Sequence, residues 1–256
     1  AAEEFRAVVY GLAGQRRLEA AITHAHPDHD GMTGALLNRN VTLWMPEGED
    51  ANALKTQHKL DPAVYRRFTS GKHSFDLGGG RVVETFLVRG HSLGGTVYLL
   101  KPEMLLFTGD TIGSGFGQAV ATVERLKMIA EDSQKLVDYL KANLSPWERY
   151  ALEVFTGHWW QNAYGGFMSP NNARVDVGYL DWRFVQNVAM CANGILKGEW
   201  LAETSGLRYV GKMAYTDAWP SAQGRAIMVY GTGTIIIPLE VAYEAAGLKM
   251  MRTDLL

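Results

Sequence analysis

Residues 23 to 31 read THAHPDHDG, and no other stretch limits the fold and chemistry of this chain so tightly. Three of its seven histidines and two aspartates fall in these nine positions, directly behind the apolar run Leu18 to Ile22. That run has the length and composition of a buried strand, so the cluster is expected at a strand end, where the chain leaves the core. In extended backbone, positions two apart point the same way, which aims the imidazoles of His24 and His26 at one ion. Pro27 stiffens the following turn, and beyond it Asp28 and His29 face a second position close by. Imidazole and carboxylate suit zinc, and also iron or manganese. Packing alone gives no reason to set so many like donors side by side.

Two ions require more ligands than this stretch supplies, and three places downstream can add them. His91 stands in VRGHSLGGT between two strands, Asp110 closes the apolar strand MLLFTGD, and His158 closes ALEVFTGH. Each follows a strand and adjoins a glycine, where backbone can approach a ligand closely. A lone histidine at a strand end is usually a surface residue. Repetition of the arrangement at successive strand ends is what argues for one shared site at a sheet edge. His58 and His73 have no such context and are left outside it.

Between these landmarks the pattern alternates strands with helices. Phe5, Val8, Val9 and Leu12 share one helical face, with Gly14 as the stop. A helix is expected over Met32 to Leu37, and strands over 41–45, over two segments within 75–88, and over 96–100, 104–110 and 151–156. Leu126, Ile129, Leu136, Leu140 and Leu144 recur at helical spacing. A second long helix is expected from about Gly178 to Lys197, with Phe184, Val188, Cys191 and Ile195 inward. RAIMVYG and GTIIIPLE suggest a terminal hairpin. With no repeat or linker visible, a single domain over residues 1–256 is the expectation, built from layered α and β structure.

Composition narrows the partners. The formal net charge is −2, from 25 Lys and Arg against 27 Asp and Glu, and no basic run offers a footprint for nucleic acid or an anionic membrane. One cysteine, Cys191, excludes an intrachain disulfide framework. The first residues lack a signal-peptide pattern, and TIIIPLEVAY is too short to span a bilayer, so a cytoplasmic chain without membrane contact is expected.

HAHPDH at 24–29, GHSLGG at 90–95, FTGD at 107–110 and GH at 157–158 together resemble the metallo-β-lactamase-fold hydrolases, over about residues 18 to 160. The resemblance implies an α/β (α+β in some schemes) four-layer αβ/βα sandwich with two metals, zinc first, at one edge. Carried over, His24, His26 and His91 bind one metal, Asp28, His29 and His158 the other, and Asp110 bridges both. Asp110 and Asp28 are then the carboxylates nearest the chemistry. The pattern is closest to glyoxalase II-like members, since a carboxylate stands at Asp110 where a large lactamase group has cysteine. The implied activity is hydrolysis of a small carbonyl substrate (an ester, thioester or lactone) by a metal-bridging hydroxide. Basic residues to grip glutathione are not placed. Trp159, Trp160 and Tyr164 beside His158, and Phe116 in the glycine-rich GSGFG loop, instead suggest a rim for apolar acyl groups. Asp30 either hydrogen-bonds a ligand imidazole or caps the helix after it.

The same metals serve four rivals: β-lactam hydrolysis, phosphodiester or nuclease chemistry, an iron-dependent persulfide dioxygenase, and a metal-binding module without turnover. Phosphodiester cleavage would need basic clamps, oxygen reductases carry a glutamate in the first motif and a flavin domain, and an inert module would show a lost ligand. Members of the resembled family usually place several strands before the first histidine motif, whereas 23 residues precede His24 here. The expectation is a fold edge lacking its usual N-terminal strands, with the C-terminal strands or a second copy of the chain as alternative cover. An unpaired edge would invite homo-oligomer formation.

Overall fold

In this computed structural model, residues 2–37, 41–50, 61–112, 118–120, 122–157, 182–199, 207–212, 225–229 and 235–248 are described. Helix α1 (Ala2–Ala13) ends at Gly14, whose φ of +58° suits a residue without a Cβ, and the chain enters β1 (Leu18–Ala21). β1 pairs in parallel with β2 (Val41–Pro46), and β2 pairs in parallel with β3 (Tyr65–Phe68), giving a three-stranded sheet. A second sheet runs in the order β4 (Ser74–Gly78), β5 (Arg81–Leu87), β6 (Thr96–Lys101), β7 (Leu105–Gly109) and β9 (Glu153–Thr156). Its pairs are antiparallel except β7 with β9. A third sheet orders β10 (Leu207–Lys212), β11 (Arg225–Val229), β12 (Ile235–Pro238) and β8 (Gln118–Ala119).

The first two sheets face each other across aromatic side chains. Trp44 and Phe68 from the three-stranded sheet meet Phe75, with ring centroids at 5.4 and 5.6 Å, and Phe68 lies 6.4 Å from Tyr98. The Tyr98 hydroxyl donates to the carbonyl of Ile22 at 2.6 Å, fixing the end of β1 to β6. Against the other face of the five-stranded sheet lies α3 (Val123–Asn143). Its Leu126, Ile129, Leu136 and Leu140 join Leu99, Leu106 and Val154 in the main core. Helices α5 (Trp182–Leu196) and α6 (Leu239–Ala245) pack on α3. This is the sandwich of sheets with flanking helices that was expected. No helix among the described residues is long and apolar enough to cross a membrane.

Several local expectations change. Over Met32 to Leu37 the chain forms a 3-10 turn, Thr33–Leu36, too short for an α-helix. β3 was not foreseen: only Tyr65 and Phe68 turn inward, and the two arginines between them hide the strand. Ala151 ends helix α4 (Pro146–Ala151) rather than starting a strand, because Ser145 and Glu148 close a capping box. In α5 the buried positions are Val185, Val188, Ala189, Ala192 and Ile195, while Phe184 and Cys191 are only partly buried. The small alanines, rather than the longer side chains, take the centre of the contact. The Phe5, Val8 and Leu12 face of α1 is 36%, 61% and 72% exposed, since α1 packs along the 3-10 turn through Tyr10, whose hydroxyl donates to Leu36 O at 2.8 Å.

The terminal hairpin is present as β11 and β12. It pairs with β10 and β8 and does not cover β1, which is an edge strand among the described residues.

Candidate metal centre

The strand-to-helix turn after β1 fans the histidines out. Thr96 N–H donates to Thr23 O at 3.0 Å and Ile22 N–H to Trp44 O at 3.2 Å, so the chain leaves β1 already anchored on both sides. His26 keeps extended backbone, with φ −115° and ψ 150°, and Pro27 opens the four-residue helix α2 (Pro27–Asp30). His29 N–H donates back to His26 O at 2.9 Å. His24 thus projects from the bend over residues 23–25, His26 from extended backbone, and His29 from the helical turn.

The remaining donors come from across the sandwich. Before His91, Gly90 adopts φ +128°, and a Cβ there would lie 2.0 Å from Cγ1 of Ile129. Only glycine fits where this turn lies on α3. Arg89 clamps the same turn, its Nε and Nη2 donating to the Asp132 carboxylate at 2.6 and 2.9 Å. Asp110 follows Gly109 at the end of β7, where φ is +53° and a Cβ would press on Thr23.

The result is two groups that could each hold an ion: His24, His26 and His91, and His24, His29 and Asp110, the ligand atoms of each lying within 4.8 Å of one another. His91 Nε2 is 3.0 Å from His26 Nδ1. Asp110 Oδ2 is 3.2 Å from His29 Nε2 and 3.7 Å from His91 Nε2, so one carboxylate oxygen reaches a histidine of each group. Asp28 lies further out, 3.6 Å from His29 Nε2 with its side chain 55% exposed.

Burial keeps His24 and His91 neutral. Burial pushes the pKa of His24 down to about 2, helped by His91, His29 and His26. Burial likewise lowers His91 to about 4, against the opposing pull of Asp110. Neutral imidazole is the metal-binding form. Thr23 Oγ1 lies 3.1 Å from His24 Nδ1, leaving Nε2 as the free nitrogen. His24 Nε2 is buried without a hydrogen-bond partner among the described residues. Such an orphaned ring nitrogen is costly in the apo protein and is relieved by a cation, so the donor set fits a metal.

Asp30 is fully buried at the end of α2. The 3-10 turn that follows begins from Met32, whose own side chain makes no cap hydrogen bond. The Asp30 carboxylate lies near Tyr65, whose hydroxyl is held above its usual pKa by burial first and by Asp30 as well. His158, Trp159, Trp160, Tyr164 and Phe116 lie outside the described residues. Gly157, immediately before His158, is held by its N–H donating to Gly109 O at 2.8 Å. Sequence reasoning missed Glu49, a buried carboxylate between the histidine loops, because it is one of three acidic residues in the turn MPEGED and no spacing marks it off from Glu47 and Asp50. It also missed a cleft of about 360 Å³ beside His29, walled by Ile22, Phe107 and Phe155.

Among curated proteins none matches the chain. Solved structures do. A metallo-beta-lactamase from Pontibacter korlensis is 16% identical over 75% of this chain and 76% of that one, with a TM-score of 0.51. The DIM-1 metallo-beta-lactamase is 17% identical over 75% of this chain and 78% of its own, at 0.50. A beta-lactamase domain protein from Burkholderia ambifaria is 20% identical over 78% of this chain and 59% of its own, also at 0.50. At these identities the likeness is one of fold. The family profile described as the metallo-beta-lactamase superfamily matches residues 20–158, which hold all five histidine and aspartate side chains of the two groups above. The chain belongs to the metallo-beta-lactamase superfamily.

Proposed function

We propose that this protein is a dinuclear metal-dependent hydrolase acting on small carbonyl substrates: esters, thioesters or lactones. The observation that carries this reading is the place of Asp110, whose Oδ2 lies between His29 and His91 and so joins the two histidine groups. His24, His26 and His91 would hold one ion. His29, Asp28 and His158 would hold the other, with zinc the first candidate and iron or manganese compatible with the same donors. Bound there, two dications supply an activated water at neutral pH and a Lewis acid for the carbonyl oxygen. Asp110 would orient that water and accept its proton, and Asp28, more exposed, would serve from the solvent side. Asp30, buried at the end of α2, would steady the loop that carries the histidines.

Within the superfamily, a carboxylate at Asp110 favours the glyoxalase II-like pattern over the cysteine-containing lactamases. The aromatic residues after His158, Trp159, Trp160 and Tyr164, together with Phe116, would favour uncharged acyl groups over glutathione conjugates. The test is a panel of esters, thioesters, lactones, β-lactams and bis-p-nitrophenyl phosphate, each assayed with zinc, manganese and iron. Carbonyl substrates should dominate, with kcat/KM rising a few-fold per buried methylene of the acyl group, from about 0.8 kcal/mol each. A phosphodiester turned over faster than every carbonyl substrate would overturn the assignment. So would oxygen uptake on a persulfide by an iron-loaded protein.

A further inference from the structure

We propose that Glu49 is a positioning residue, whose buried carboxylate ties the His24–His26 loop to the His91 loop and sets the spacing at which these histidines meet a metal. This rests on the reading that His24, His26 and His91 hold an ion. Glu49 is 6% exposed. Its Oε2 accepts from the N–H of Ala25 at 2.8 Å, the residue between His24 and His26. Its Oε1 accepts from the N–H of Gly94 at 2.8 Å and from the hydroxyl of Ser92, the neighbour of His91, at 2.5 Å. All three partners donate, which matches an acceptor-only carboxylate and no amide, whose NH2 would face a donor.

The surrounding backbone leaves this bridge no slack. Gly48 has φ +96°, and a Cβ on it would lie 3.2 Å from Leu93 O. A Cβ on Gly94 would lie 2.6 Å from the nitrogen of Glu49. The turn after β2 and the turn after His91 are thus in backbone contact. Arg67 pins the first of them from β3, donating to Glu49 O at 3.0 Å. Glu49 reaches both histidine loops from a third element, and its two oxygens are shared between them. The 3.0 Å approach of His91 Nε2 to His26 Nδ1 is the spacing it maintains. Partners that orient ligand loops are typically worth roughly 10- to 100-fold in metal affinity.

The test uses the full chain and cobalt(II), whose visible bands report ligand geometry. Glu49→Gln should bind cobalt roughly 10- to 100-fold more weakly, with shifted bands. Ser92→Ala, which removes one donor of three, should show a smaller change in the same direction. Glu84→Gln is the control. Glu84 lies on β5, where its carboxylate accepts from Lys101 of β6 at 3.0 Å and Tyr139 of α3 at 2.6 Å, away from the histidines. It should lower the thermal midpoint and leave cobalt binding and spectrum unchanged. Glu49→Gln with wild-type cobalt affinity and bands would overturn the inference, and if that variant does not fold, the same result for Ser92→Ala would do so. Equal weakening by Glu84→Gln would also overturn it, since the effect would then be one of general stability. A wild-type chain that binds no cobalt would instead bring down the metal reading itself, and this inference with it.

Discussion

Gly157 stands so close to Asp110 that a Cβ on it would lie 2.2 Å from the carboxylate oxygen Oδ1, and 2.6 Å from Cε1 of His29. Glycine is required here by crowding, because the end of β9 passes directly behind two candidate ligands. Gly157→Ala should still fold, since its two hard clashes are with the side chains of Asp110 and His29, and the nearest backbone atom, C of Gly109, lies at 3.1 Å. It should displace Asp110 and weaken metal binding, with kcat/KM falling roughly 100-fold for a shift of about 1 Å. Metal content per chain and steady-state kinetics on the best carbonyl substrate are the measurements. Wild-type metal content with wild-type turnover would show that Asp110 can move aside without consequence.

Asp110 and His26 should fail in different ways. The Asp110 carboxylate touches a histidine of each group, whereas His26 belongs only to the group with His24 and His91. Asp110→Ala should loosen both metal equivalents, and His26→Ala should remove one and leave the other. Hydrolysis should drop by roughly two orders of magnitude or more in each case, the scale on which preorganised charge acts in a reaction. Elemental analysis after dialysis separates the two patterns. Loss of a single equivalent from Asp110→Ala would mean that its carboxylate serves one ion alone.

The gathering of His24, His26, His29, His91 and Asp110 was legible in the sequence because each sits just past an apolar strand, and their residue types have one common use. The core face of α3 was legible for a similar reason: its leucines repeat at helical spacing, and all of them are buried. What stayed hidden depends on meetings that no local period encodes. Glu49 matters because the turn after β2 lies against the turn after His91, more than forty residues away in sequence. β3 was obscured by Arg66 and Arg67, which face outward between Tyr65 and Phe68. The capping box SPWE at Ser145 to Glu148 was local and readable, but the apolar run behind it drew the expected strand two residues too early. The exposed face of α1 shows the limit of amphipathic reading, for a stripe tells that a helix has two sides and not which neighbour is present.

Gly90 joins the His91 turn to α3 with no room to spare. Its φ of +128° excludes a Cβ on conformational grounds, and the Ile129 side chain fills the space one would occupy. Gly90→Ala should cost about 2–4 kcal/mol, combining an incompatible backbone angle with overpacking. Urea unfolding of the metal-free protein measures it. Truncating the neighbour in Gly90→Ala/Ile129→Ala should cost less than the sum of the two single changes, because the clash is removed while the backbone strain remains. Strict additivity would place the whole cost in the backbone.

The metal-free protein should lose stability as pH falls from 7 to 5. His24 is held down to about 2 and His91 to about 4, each from an ordinary value of 6.5 and each chiefly by burial. Above pH 6.5 both are neutral whether folded or unfolded, and they add no pH dependence. Below it the unfolded chain takes up protons that the native site refuses, so the unfolded state binds more protons and stability falls with pH. Each histidine then contributes up to about 1.4 kcal/mol per pH unit. His91 stops contributing near pH 4, while His24 continues below it. Between pH 7 and 5 the two together should remove on the order of 2–4 kcal/mol, in a window where most carboxylates stay ionised. Urea unfolding of chelator-treated protein at pH 7, 6 and 5 gives the slope, and His91→Gln should remove about half of it. Saturating zinc should raise stability most at pH 7 and least at pH 5, where protons compete for the same nitrogens. Equal unfolding free energies at pH 7 and 5 without metal would mean that the buried histidines take up protons as readily folded as unfolded.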